Sequence, residues 1–129
     1  MGREAMGSQT EQGSSEAHSR LVRAIQLECS NGAIRLFPNI NGLFQTLDGR
    51  WVHTGLFDGC LDLVGWKSEL HGRELVARLI MLECKTGKAR LTKEQRQTIL
   101  NVNRMGGIAA EVRSVDDAKR ALGLDCQHG

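Results

Sequence analysis

One stretch constrains this chain more than any other: "LVARLIMLECK", residues 75–85, an apolar run suited to the inside of a sheet that ends on a charged pair. Residues two apart on an extended strand project from the same face. Glu83 and Lys85 therefore share one face, while Leu82 and Cys84 turn to the core on the other. Placed where the strand leaves the sheet, the pair is expected to be an exposed acid and base on a rigid element. Alone, E-x-K is a weak signal, and a surface charge pair is its commoner explanation.

Asp62 changes that balance. It sits between Leu61 and Leu63 in "GCLDLVG", with Gly59 and Gly65 on either side. A lone aspartate in an apolar strand carries a desolvation cost unless it binds a cation or hydrogen-bond donors. The flanking glycines allow close approach of backbone or ligand. If the two strands are hairpin neighbours, Asp62 and Glu83 point at a common spot. Two carboxylates, backbone carbonyls and waters form a hard oxygen site suited to Mg²⁺ or Mn²⁺. A lysine beside such a site can hold a water nucleophile or stabilise charge developing on phosphorus.

The rest of the chain supplies a scaffold for these two strands. Residues 1–13 are polar and Gly-rich and read as a disordered lead. A helix is predicted from Ser15 as N-cap, with Ala17, Leu21, Ala24 and Ile25 at helical spacing and Asn31-Gly32 as its stop. Strands follow at 33–37 and at Cys60–Trp66, with a D-G hairpin signal in "TLDGRWVH" between them. Residues 67–74 read as a polar loop before the long strand. In "TKEQRQTILNVNRMGG", Thr92 and Gln95 form a capping box, and Ile99, Val102 and Met105 are expected to face inward. A strand at 108–113 and a short helix capped by Ser114 complete the order αβββαβα, a mixed α/β sandwich. It forms one domain over 14–124, with a flexible tail at 125–129.

A net charge of +2 hides an asymmetry: residues 83–104 carry a local +4, and the remainder sums to −2. A concentrated basic segment suggests a polyanion partner, although a solvated helix face has the same composition. With two tryptophans and no tyrosine there is no stacking platform for single strands. Cys29, Cys60, Cys84 and Cys126 lie far apart without a C-x-x-C pair, which argues against zinc and for reduced thiols in a cytoplasmic protein. No apolar run approaches the ~20 residues of a membrane helix.

Taken jointly, "GCLDLVG", "LECKTGKARLTKEQ" and "GGIAAEVRSVDDA" resemble the VRR-NUC (virus-type replication–repair nuclease) domain in its small stand-alone phage form, a branch of the PD-(D/E)XK nuclease superfamily. The resemblance implies a restriction-endonuclease-like core, a mixed central sheet flanked by helices, and Mg²⁺- or Mn²⁺-dependent cleavage of DNA. It assigns the metal to Asp62, Glu83 and the backbone carbonyl of Cys84, and the attacking water to Lys85. It also maps Gln95 and the first-helix acid, Glu16, to the catalytic set. Gln95 has a second reading as a helix cap, and Glu16 as an acid favoured by the helix dipole. Lys88, Arg90, Lys93 and Arg96 are expected to grip phosphates, contacts that position DNA without reading bases. Selectivity for branched or four-way junction DNA is the corresponding expectation. Two positions depart from the pattern: Leu61 replaces the proline that names the superfamily, and Pro38 stands where an arginine is usual. The alternative is a non-catalytic nucleic-acid-binding module that keeps the fold. A homodimer is also expected, paired through Leu43, Phe44, Trp51, Val52, Leu56 and Phe57, in the cytoplasm of a phage-infected or bacterial cell.

Overall fold

The computed structural model describes residues 2–40 and 42–124, with side chains from Ser15 onward. The described elements are α1 (Gly2–Cys29), β1 (Ile34–Pro38), β2 (Gly42–Gln45), β3 (Trp51–Thr54), β4 (Leu63–His71), β5 (Glu74–Cys84), α2 (Lys93–Arg104), β6 (Ile108–Val112) and α3 (Val115–Leu122). Strands β1, β4, β5 and β6 form the central sheet in that spatial order, and β2 and β3 form a separate hairpin. The first two pairings of the sheet are antiparallel and β5–β6 is parallel. The result is a mixed α/β fold with a mixed central sheet and three helices. Leaving aside the inserted β2–β3 hairpin, its elements run αβββαβα, as the sequence predicts.

Alternation along the strands gives the sheet two unlike faces. Ile34, Leu36, Leu63, Ile80, Leu82 and Cys84 point to one of them, where Ile25 and Cys29 of α1 and Ala118 and Leu122 of α3 complete the main core. On the opposite face, Met81 and Ala109 pack with Cys60 and Leu61, and Ile99 and Val102 of α2 cover them. Helix α2 is short and lies over β5 and β6 only. Phe37, Trp66 and Leu79 therefore remain exposed on that face.

Several local expectations are revised. Helix α1 is continuous from Gly2, which puts Ser15 inside it rather than at its N-cap. The side chains of the lead and the whole of the 125–129 tail lie outside the described residues. Residues 67–74 are not a loop. Strand β4 continues to His71 and turns back at Gly72-Arg73, with His71 paired to Glu74. Gly72 has φ +64°, as the first central position of a type II′ hairpin turn requires. The polar run misleads because its charges share one face: Lys67, Glu69 and Arg78 form a cross-strand network there. Met105 is the C-cap of α2 and 85% exposed, because the chain has left the helix before its side chain could turn inward. Gly65 does serve close approach, but to backbone: an added Cβ would lie 1.7 Å from the carbonyl oxygen of Arg35 on β1.

Candidate active site

The pairing of β4 with β5 sets Leu63 against Leu82. One step toward the strand ends, Asp62 comes opposite Glu83, as the hairpin argument requires. Asp62 precedes the first residue of β4, so it sits at the mouth of the strand and is part-buried. The sealed carboxylate is Glu83, only 3% exposed. Cys84, on the other face, is fully buried as a free thiol, and burial pushes its pKa well up.

Each carboxylate has one oxygen fully engaged. Glu83 Oε2 meets Lys85 Nζ at 3.0 Å and accepts a hydrogen bond from Gln95 Nε2 at 3.1 Å. Asp62 Oδ2 accepts the backbone N–H of Cys84 at 2.9 Å and lies 2.9 Å from Nε2 of His18. Gln95 fulfils both of its readings at once. Its Oε1 accepts the Thr92 N–H that opens α2, and that bond turns the amide nitrogen toward Glu83.

The remaining oxygens are what make the arrangement chemically incomplete. Glu83 Oε1 is buried, and no hydrogen-bond donor reaches it. Burial pushes the Glu83 carboxyl up to about 7, and the charge of Asp62 adds to the shift while Lys85 opposes it. An acceptor orphaned in this way costs about 1–3 kcal/mol, more if charged. A bound divalent cation would offset that cost. Among the described residues no three His, Cys, Asp or Glu side chains form a ready-made cage. Mg²⁺ does not require one, because it binds through one or two carboxylates and keeps several waters. The two carboxylates are hard oxygen donors of the kind that suits Mg²⁺ or Mn²⁺.

An open cleft of about 670 Å³ leads to the pair, lined by His18, Asn39, Cys60, Asp62, Glu83 and Gln95 among others. Asn39 anchors its floor. Its N–H donates to Asp62 O, its amide to Leu61 O, and its Oδ1 accepts the N–H of Leu56. Glu16, the first-helix acid expected here, is placed outside: it is exposed and absent from the cleft lining. Residues two apart on a helix do not share a face, so α1 turns His18 inward and Glu16 out. The sequence reading missed His18, although it falls in a helical stripe with Val22, Ile25 and Cys29.

Beside the cleft, the β5–α2 connection and the first turn of α2 carry the basic groups. Lys88, Arg90, Lys93 and Arg96 are all exposed, and none has an acidic partner among the described residues. Lys88, Arg90 and Arg96 line a second cleft together with Arg113 and Glu111, whereas Lys93 does not. Arg113 was not anticipated. Its guanidinium donates to the carbonyls of Gly87 and Ala89 and pairs with Glu111 at 2.9 Å, which pins the loop bearing Lys88 and Arg90. Among the described residues no helix is long and apolar enough to cross a membrane. No family model, curated protein or solved structure matches the chain, and the site stands on its own geometry.

Proposed function

We propose that this protein is a Mg²⁺- or Mn²⁺-dependent nuclease with a restriction-endonuclease-like core, hydrolysing phosphodiester bonds of DNA. The observation that carries the reading is the buried, donor-free Oε1 of Glu83 facing a second carboxylate. A bound cation would supply Lewis-acid activation of the phosphodiester. The side chains do the rest. Asp62 and Glu83 hold the cation, while the Lys85 ammonium, fixed on Glu83, is placed to orient the attacking water or to neutralise charge on the phosphoryl oxygens. Gln95 keeps the Glu83 carboxylate from rotating. Hydrolysis forms one P–O bond to water and breaks one to the sugar, leaving a phosphomonoester and a hydroxyl. Lys88, Arg90, Lys93 and Arg96 supply phosphate contacts that carry no base information, which favours branched or four-way junction DNA over a sequence target, inside a phage-infected or bacterial cell.

Labelled duplex, flap, splayed-arm and four-way substrates, incubated with Mg²⁺, Mn²⁺ or Ca²⁺ and with excess EDTA, test this. Cleavage is expected with Mg²⁺ or Mn²⁺, and binding without turnover in Ca²⁺, which is larger and less demanding in geometry. Full activity in EDTA, or none on any substrate with Mn²⁺, sinks the reading.

One observation favours a non-catalytic binding module instead. The cleft of Lys88, Arg90, Arg96 and Arg113 is built without help from the carboxylate pair. On that reading DNA binds equally well with Asp62→Asn and no strand is ever cut. Replacing Lys88 and Arg90 would then weaken binding across all sequences and flatten its salt dependence.

The reading includes a two-fold dimer. Leu43, Phe44, Trp51 and Val52 of the β2–β3 hairpin and Leu56 and Phe57 just after it are exposed, and on this reading they form one contact surface. A second apolar surface is the uncovered sheet face. Phe37, Trp66, Leu79 and the Leu70–Leu75 pair are exposed there, and a contiguous apolar surface of this kind marks an interaction site. Its apolar character suits a second copy of the chain better than nucleic acid, because the unpaired cations lie elsewhere.

A further inference from the structure

We infer that His18 is a positioning residue that selects which Asp62 oxygen faces the cation; the inference rests on the metal reading above. Helix α1 packs mainly against the sheet face opposite the site, through Ile25 and Cys29. It nevertheless sends the His18 side chain around to the carboxylate pair. His18 Nε2 lies 2.9 Å from Asp62 Oδ2, and the imidazole is half-buried in the wall of the cleft. A carboxylate oxygen only accepts, so Nε2 is the donor in this contact.

The same Oδ2 also accepts the Cys84 N–H at 2.9 Å. Two donors on one oxygen, from two different elements, fix both the rotation of the carboxylate and the identity of the engaged atom. Oδ1 is then the oxygen turned to the site, where the donor-free Oε1 of Glu83 is its counterpart. Gln95 and Lys85 do the same for Glu83 by occupying Oε2. The site is thus built symmetrically: each carboxylate is pinned through one oxygen, leaving one for the cation. The Cys84 N–H is backbone and is lost only with proline, which would also disturb the strand, so His18 is the part of the Asp62 clamp that a side-chain substitution can test. Outer hydrogen bonds of this kind commonly alter metal affinity 10–100-fold.

The experiment compares the wild type with His18→Ala, His18→Gln, Asp62→Asn and the His18→Ala/Asp62→Asn pair. Mn²⁺ binding is measured by calorimetry, without DNA, and circular dichroism confirms the fold of each variant. His18→Ala is expected to weaken Mn²⁺ binding about 10–100-fold. His18→Gln, whose Nε2 can reach the same oxygen, is expected to recover most of that loss. In the Asp62→Asn background His18→Ala should add little, because the carboxylate it holds is gone. In the metal-free protein, nitrogen-15 NMR of the imidazole should show the proton on Nε2, with its signal moved by Asp62→Asn. Mn²⁺ bound equally tightly by wild type and His18→Ala overturns the inference alone. A wild type that takes no Mn²⁺ overturns the metal reading and the inference with it. An imidazole signal indifferent to Asp62→Asn removes the contact itself.

Discussion

At one end of the β4–β5 hairpin, a carboxylate is sealed from water with its second oxygen unpartnered. At the other end, two leucines stand opposite each other in the open. Glu83 is 3% exposed, whereas Leu70 and Leu75 are 70% and 69% exposed. The hairpin turns polarity inward at its open end and apolar surface outward at its turn. Neither arrangement helps an isolated chain to fold, since a buried charge and an exposed apolar pair are both unfavourable. On the proposed reading each is offset by a ligand: a cation at the strand ends and a second chain at the turn.

The largest expected effect lies at the strand ends. Lys85→Ala and Asp62→Asn should each reduce cleavage on the order of a thousandfold or more while leaving the circular dichroism spectrum and most DNA affinity intact. Single-turnover assays with Mn²⁺ decide this. Retained cleavage in either variant would mean that the sealed end is structural, and the contrast between the two ends would lose its functional half.

Next in size is the cost of sealing Glu83. Its carboxyl is raised to about 7 in the folded protein from an ordinary value of 4.5. Between those values the folded state binds more protons than the unfolded one, so stability falls as pH rises. The contribution is fully present below about 4.5 and gone above about 7, a change on the order of 3 kcal/mol. Urea melts of the metal-free protein at pH 5 and pH 8 should show the loss, and Glu83→Gln should abolish it. Added Mn²⁺ should restore stability at pH 8, because a ligand bound only by the folded state stabilises it by mass action.

A smaller effect is expected at the turn. Leu75→Glu puts a charge into the exposed apolar pair and should weaken self-association about tenfold or more by sedimentation, equivalent to about 1.4 kcal/mol, without unfolding the protein. Single-tryptophan variants sharpen this. Concentration-dependent emission from Trp66 places the interface on the sheet face, whereas a response from Trp51 places it on the β2–β3 hairpin.

The two ends were also unequally legible in sequence. The strand-end site could be read because its chemistry lies in two short segments and the period of two sets the facing of Glu83, Cys84 and Lys85 without any knowledge of the tertiary fold. The T-x-x-Q box likewise announced α2, and Gln95 emerged as cap and site residue together. His18 could not be read, because it reaches Asp62 across 44 positions and only the packing of α1 brings them together. The turn end failed for a different reason. "WKSELHGREL" alternates, but its polar partners face one another across the hairpin rather than facing solvent alone. Composition therefore suggested a loop where register makes a strand.

The smallest effect completes the comparison, because its sign is opposite to that of Glu83. Glu69 lies near the turn end of the same hairpin. Its carboxyl is held below the usual range by His71 first, then by Arg78 and Lys67. A carboxyl lowered on folding contributes stability that is present above its unfolded value of about 4.5 and is lost as pH falls through the folded one. Acidification below pH 4.5 should therefore remove its contribution in the range where that of Glu83 is fully retained. Glu69→Gln should lower the urea midpoint slightly at pH 7 and leave it unchanged at the most acid pH the fold survives. Salt should shrink the difference at pH 7, as it does for solvent-exposed pairs. The charge ladder is thus a modest support for a ribbon whose apolar face is uncovered. If Glu69→Gln instead destabilised the protein as much as Glu83→Gln alters it, the ribbon would be part of the folding core, and the contrast between a sealed end and an open end would have to be given up.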